Sequence, residues 1–137
     1  MKIEKINENK IKITLSERDL KERNLDFQAL RYNSPEAQNL FWDMIKRAEE
    51  MIQWHIRSQL KNWQTEKPIY LKYLWVEKDR RRDKDNVAFA RKFVQDALVK
   101  SGTIPNDGWK NIVGFEDAFE VDKKNPRIEV EIVEVPD

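Results

Sequence analysis

Between Ile69 and Val76 the chain reads Ile-Tyr-Leu-Lys-Tyr-Leu-Trp-Val, apolar or aromatic at every position except Lys72. A strand with apolar side chains on both faces has no side to give to water, so it belongs in the middle of a sheet. The residues after it narrow the fold further. Ala90, Phe93, Val94, Ala97 and Leu98 recur at helical spacing and stop at Gly102, with Asp85 or Asn86 as the expected cap. Asn106-Asp107-Gly108 marks a loop. Ile112–Val121 and Ile128–Val135 read as two strands joined as a hairpin around Asp122–Pro126.

Ahead of the central strand, Ile11, Ile13 and Leu15 alternate with Lys10, Lys12 and Thr14, the pattern of a half-buried strand. Ser16 is placed to cap a short helical turn through Leu20 towards Asn24, although Asp19 stands where a capping box has Glu or Gln. Ser34-Pro35-Glu36 then opens a long helix reaching roughly Leu60, with Leu40, Phe41, Met44, Ile45, Ala48, Ile52 and Ile56 as its apolar stripe. The order β-α-α-β-α-β-β, with a small mixed sheet, predicts an α+β domain spanning 1–137.

The chain is 39% hydrophobic, enough for a packed core, so its 37% of charged residues does not make it disordered. With no cysteine, disulfides, thiolate metal sites and cysteine nucleophiles are excluded. No apolar run approaches the roughly 20 residues of a membrane span, and Met-Lys-Ile-Glu-Lys-Ile is not a signal peptide, so a cytoplasmic protein without a membrane partner is expected.

The net charge of +1 supplies no overall field to attract nucleic acid, yet seven basic residues against three acids lie between Lys78 and Lys92. Within this run Asp83-Lys84-Asp85-Asn86 follows Arg80, Arg81 and Arg82. Two carboxylates at i and i+2, extended at a strand-to-helix junction, point the same way and suit one hard cation, Mg²⁺ or Mn²⁺. Such an ion lowers the pKa of bound water and stabilises charge developing on a phosphate. The plainer alternative is a solvated charge run in which Asp85 only caps the helix. Asp107, beyond the far end of that helix, is a third candidate acid.

Arg81-Arg82-Asp83-Lys84-Asp85-Asn86, the helix ending Asp96-Ala97-Leu98-Val99-Lys100-Ser101-Gly102, and Asn106-Asp107 together resemble the RusA-type Holliday junction resolvases. The resemblance runs from about Trp63 to Val135 and includes the Val-Asp-Lys-Lys-Asn-Pro-Arg turn. It implies a RusA-like fold and a homodimeric, Mg²⁺-dependent endonuclease that nicks four-way DNA junctions. It carries the metal-binding role onto Asp83, Asp85 and Asp107, and a DNA contact onto Arg82, with Arg80, Arg81 and Arg91 as further phosphate contacts. Phe89 stands where that family has a catalytic lysine; Lys92, one turn on, is the candidate replacement.

The front departs from that pattern. Residues 1–48, with Leu20-Lys21-Glu22-Arg23-Asn24 before Phe27 and Tyr32-Asn33-Ser34 before Leu40-Phe41-Trp42, resemble the amino-terminal domain of MecA-type adaptors. Those proteins deliver substrates to a Clp-type unfoldase, which implies a protein partner for this segment. The chain thus reads as a composite, with a MecA-like front integrated into one RusA-like domain. Two other readings stand beside the nuclease: a protein-binding adaptor module, and a junction-binding scaffold impaired in cleavage.

His55, the single histidine, reads as a core or boundary residue of the long helix, and the three scattered glycines make no phosphate-cradling loop. Of the five tryptophans, Trp42, Trp54, Trp63 and Trp75 read as core or interface. Trp109, two residues from Asp107, is the one placed to stack on a base.

Overall fold

The computed structural model describes residues 2–16, 18–19, 64–81, 83–88 and 91–136, with scattered positions between 43 and 58. Five strands form one sheet: β1 (Lys2–Asn7), β2 (Lys10–Ser16), β3 (Ile69–Glu77), β4 (Ile112–Val121) and β5 (Arg127–Glu134). Two helical segments, α1 (Lys84–Ala88) and α2 (Arg91–Lys100), lie between β3 and β4. The strand order is β1-β2-β5-β3-β4, antiparallel throughout except for the parallel pair β3–β4. The fold is mixed α/β on a five-stranded mixed sheet.

β3 is an interior strand, with β5 on one side and β4 on the other, but only one of its faces is fully buried. On the second face Val76 is buried, Tyr70 and Leu74 are half-buried and Lys72 is exposed. The placement of β3 between β5 and β4 corrects the expected β4–β5 hairpin. Segment 122–126 starts where the Asp122 N–H donates to the Glu77 carbonyl at 2.8 Å, and β5 then descends along the opposite edge of β3. β4 and β5 thus pair with opposite edges of β3 and not with each other.

The two faces of the sheet differ. One carries Ile11, Ile13, Leu15, Leu71, Tyr73, Trp75, Val130 and Ile132, all buried, against Val94, Ala97 and Leu98 of α2. The other is a charged lattice in which Lys12 pairs with Glu129, Lys10 with Glu131 at 3.0 Å, and Arg127 with Glu129 at 2.9 Å. Along one row of this face Glu4, Lys12, Glu131, Lys72 and Glu116 stand opposite one another, one from each strand.

β1 adds a strand to the expected order. Its pairing with β2 slips between Lys5 and Asn7, so Ile3 is buried while Ile6 is half exposed. Ser16 and Asp19 form a reciprocal cap: the Asp19 N–H donates to Ser16 Oγ at 3.1 Å, and the Ser16 N–H donates to Asp19 Oδ2 at 2.9 Å. Aspartate therefore fills the capping-box position normally held by Glu.

The start of the long helix at Ser34-Pro35 and its stripe, Leu40 to Ile56, lie outside the described residues. Asp43, Lys46, Arg47, Glu50, Met51, Gln53, Trp54 and Ser58 are helical, and Met51 is buried in the core. Among the described residues no helix is long and apolar enough to cross a membrane.

Candidate functional site

The β3–α1–α2–β4 unit organises every candidate residue. The chain leaves the top of β3 through Lys78–Arg81, where the Arg81 N–H donates to Asp79 Oδ1 at 3.0 Å. α1 begins directly after Asp83, whose carbonyl accepts the first helical hydrogen bond from the Val87 N–H at 3.1 Å. The capping position is thus Asp83, ahead of the expected Asp85 or Asn86. A residue at that position has extended backbone, which leaves the Asp83 carboxylate exposed at the mouth of the helix.

α2 runs back down β3 and β4. Lys84 lies 5.4 Å from the Phe119 ring centroid, and the Arg91 guanidinium lies 4.7 Å from that of Phe115. Further down, the Gln95 amide donates to the Tyr73 hydroxyl at 3.3 Å. The helix stops at Gly102, which has φ of +77°. There the Gly102 N–H donates to the Val99 carbonyl at 3.0 Å and the Thr103 N–H to the Leu98 carbonyl at 3.1 Å. Those two bonds are the 5→2 and 6→1 pair of a Schellman motif, which the sequence stop signal anticipated.

The following loop is tied to the bottom of β3. The Thr65 N–H donates to the Thr103 carbonyl at 2.9 Å, and the Ile69 N–H to the Asn111 carbonyl at 2.8 Å. Asp107 and Trp109 sit in this loop, Asp107 exposed and Trp109 with 99% of its surface open to solvent. Asp83 and Asp107 therefore lie at opposite ends of β3, which at about 3.3 Å per residue spans roughly 25 Å. Among the described residues, which do not include the Asp85 side chain, no group of three metal-ligating side chains occurs.

The remaining candidates are dispersed. Arg80 and Arg81 are exposed beside Asp83, with Arg81 Nε 3.6 Å from Asp79 Oδ2. Lys92 is exposed and pairs with Asp96 one turn along, at 3.5 Å. Arg91 turns inward to Asp117. Arg82, Phe89, His55, Trp42, Trp63 and the Asp85 side chain lie outside the described residues.

The arrangement around Asp117 had no signature in the sequence. Its carboxylate accepts the indole N–H of buried Trp75 at 2.8 Å and pairs with Arg91 through its other oxygen. Tyr73 stacks on Trp75, ring centroids 5.3 Å apart, and burial pushes its phenol pKa up. Only the parity of β4 hints at this lock: Asp117 shares a face with Phe115 and Phe119 and is the one acid there.

Comparison with known proteins bears on the front of the chain. Residues 1–61 match the family model described as negative regulator of genetic competence (MecA). The chain is 46% identical over 52 residues to adapter protein MecA 2 of Bacillus cereus and, to the same degree, to that of Bacillus anthracis. The aligned part is 38% of this chain and 26% of each relative, so the chain spans about a quarter of the length of the curated relatives it matches. The match contains β1 and β2 and ends before β3, leaving Asp83, Asp85 and Asp107 outside it. Over residues 1–61 this chain is similar to the MecA family of adapter proteins.

Proposed function

We propose that the chain is a protein-binding module of adaptor type whose front recognises a polypeptide. The observation that carries this reading is the match of residues 1–61 to the MecA family, including 46% identity over 52 residues with a protein named as an adapter. The fold is compatible with it. β2 of the matched segment pairs with β5 along seven residues, and Ile11, Ile13 and Leu15 anchor the front in the common core. Strands β1 and β2 of the segment are thus already held on the sheet before a partner arrives, which lowers the cost of binding through them. Competition supplies the test. A protein client bound by the Bacillus cereus adapter should be displaced by this chain, and failure to compete at hundredfold excess would remove the reading.

A second reading is a Mg²⁺-dependent endonuclease for branched DNA, acting as a homodimer. One observation favours it: Asp83 is exposed beside Arg80 and Arg81 beyond the carboxyl end of a strand in a parallel β-α-β unit. Crevices at the carboxyl ends of such strands are where open α/β sheets bind ligands. Asp83 and Asp85 would hold the ion, which supplies activated water and charge neutralisation when bound, while Arg80 and Arg81 would take phosphate. A labelled four-way junction incubated with Mg²⁺, with Asp83→Asn as control, tests it. Symmetric nicking lost in the variant supports this reading, and its absence leaves the adaptor reading in place.

A further inference from the structure

β4 is the outer strand of the sheet, ten residues long, without proline or lysine, and paired only with β3 among the described residues. Its outer row of backbone N–H and C=O groups is a ready template for another strand, and proteins usually blunt such edges. The side chains bordering it are not uniform. On the helix-bearing face Phe115 and Val121 are 46% and 51% exposed, with half-buried Phe119 between them. On the open face Glu116 and Glu120 are exposed, and neither makes an ion pair among the described residues.

The row Glu4, Lys12, Glu131, Lys72, Glu116 gives these acids a direction. Its charges alternate in sign across all five strands and end in an acid at β4. Directly opposed unlike charges stabilise a ladder and like charges weaken it. A sixth strand therefore continues the row only by setting a basic side chain against Glu116, and Glu120 on the same face favours a second one. Its alternate residues would meet Phe115, Phe119 and Val121. A second copy pairing through its own β4 fits less well, because it sets Glu116 and Glu120 of one chain on the same face as those of the other.

The geometry points to β4 as a docking edge for an extended peptide segment that alternates basic and apolar residues, added as a sixth strand. This surface lies outside residues 1–61 and stands independently of the adaptor reading. Main-chain hydrogen bonds to β4 provide affinity, Glu116 and Glu120 select charge, and the Phe115–Val121 rim selects apolar partners.

The test uses the full chain and a fluorescent nine-residue probe alternating lysine and valine. Its comparators are a glutamate–valine peptide and the lysine–valine peptide N-methylated throughout. The lysine–valine probe should bind at least tenfold more tightly than either. The double variant Glu116→Lys/Glu120→Lys should reverse the preference towards the glutamate peptide, its thermal midpoint confirming the fold. Should that variant not fold, Glu116→Gln, which keeps the shape, should narrow the preference several-fold. Equal binding of the N-methylated probe would overturn strand addition, and indifference to charge would overturn the role of the glutamates. A concentration-dependent dimer dissolved by Phe115→Lys would instead assign the edge to a second copy.

Discussion

The indole N–H of Trp75 donates to the Asp117 carboxylate at 2.8 Å, joining a buried ring of the central strand to an acid of the edge strand. The second oxygen of Asp117 pairs with Arg91, so one carboxylate links β3, β4 and α2. Asp117→Ala leaves a buried N–H without an acceptor and a partly buried guanidinium without its partner. A hydrogen bond involving a charged group contributes about 1.5–3 kcal/mol, and a loss of that size is expected in urea unfolding. Asp117→Asn keeps an acceptor for the indole and should lose less. Equal losses from the two variants would show that the ion pair, and not the indole bond, carries the lock.

The open face of the sheet makes stability depend on pH through Glu129 and Lys12. Burial pushes the Glu129 carboxyl up, but its hydrogen bonds with Lys12 and Arg127 outweigh that and leave it below its ordinary 4.5. The Glu129 hydrogen bond, against the opposing effect of burial, holds the Lys12 ammonium above its ordinary 10.5. A lowered acid contributes stability above its unfolded value and loses it as pH falls through the folded one; a raised base does the reverse. The pair therefore stabilises fully between about pH 4.5 and 10.5 and weakens outside that window. Thermal midpoints of Glu129→Gln across pH 2–7 should show a shallower acid limb than the parent chain.

Gly102 has φ of +77° with nothing within 4 Å of where a Cβ would stand, so only the backbone resists substitution. Gly102→Ala should cost about 1–2 kcal/mol, the penalty of left-handed backbone for an L-residue, and Gly102→Asn less. Denaturant midpoints compare them directly. Equal stability of all three would mean that the loop before β4 relaxes away from the Schellman geometry.

What was legible in the sequence is what local chemistry dictates. Ile11, Ile13 and Leu15 alternate without interruption and form β2; Ile69–Val76 forms an interior strand, although only one of its faces is fully buried; Gly102 ends α2. β1 escaped because the pairing slip at Ile6 breaks its period of two. The β4–β5 hairpin was mistaken because the rule that successive strands are neighbours ignores the second open edge of β3. At the candidate site, residue types could be read but not their ends of the sheet. Asp83 and Asp107 are separated in sequence by a helix that carries the chain away from the first acid. Arg91 reads as a phosphate contact until the fold sets Asp117, 26 residues on, against it.

The opposite placement of Asp83 and Asp107 makes a prediction specific to the nuclease reading. The α1 and α2 segments carry the chain from the carboxyl end of β3 to the loop before β4, so on the nuclease reading a site using both acids would draw them from two copies. Asp83→Asn and Asp107→Asn should each abolish Mg²⁺-dependent nicking of a four-way junction alone. Mixed after co-refolding, they should regain about a quarter of the parental rate, because half of the chains pair as mixed dimers and each such dimer holds one intact site. An active Asp107→Asn chain would show that Asp107 takes no part, and an inactive mixture of two inactive variants would show that the two acids are not drawn from different copies. A parent chain that cleaves nothing with Mg²⁺ or Mn²⁺ would leave protein binding as the function of this fold.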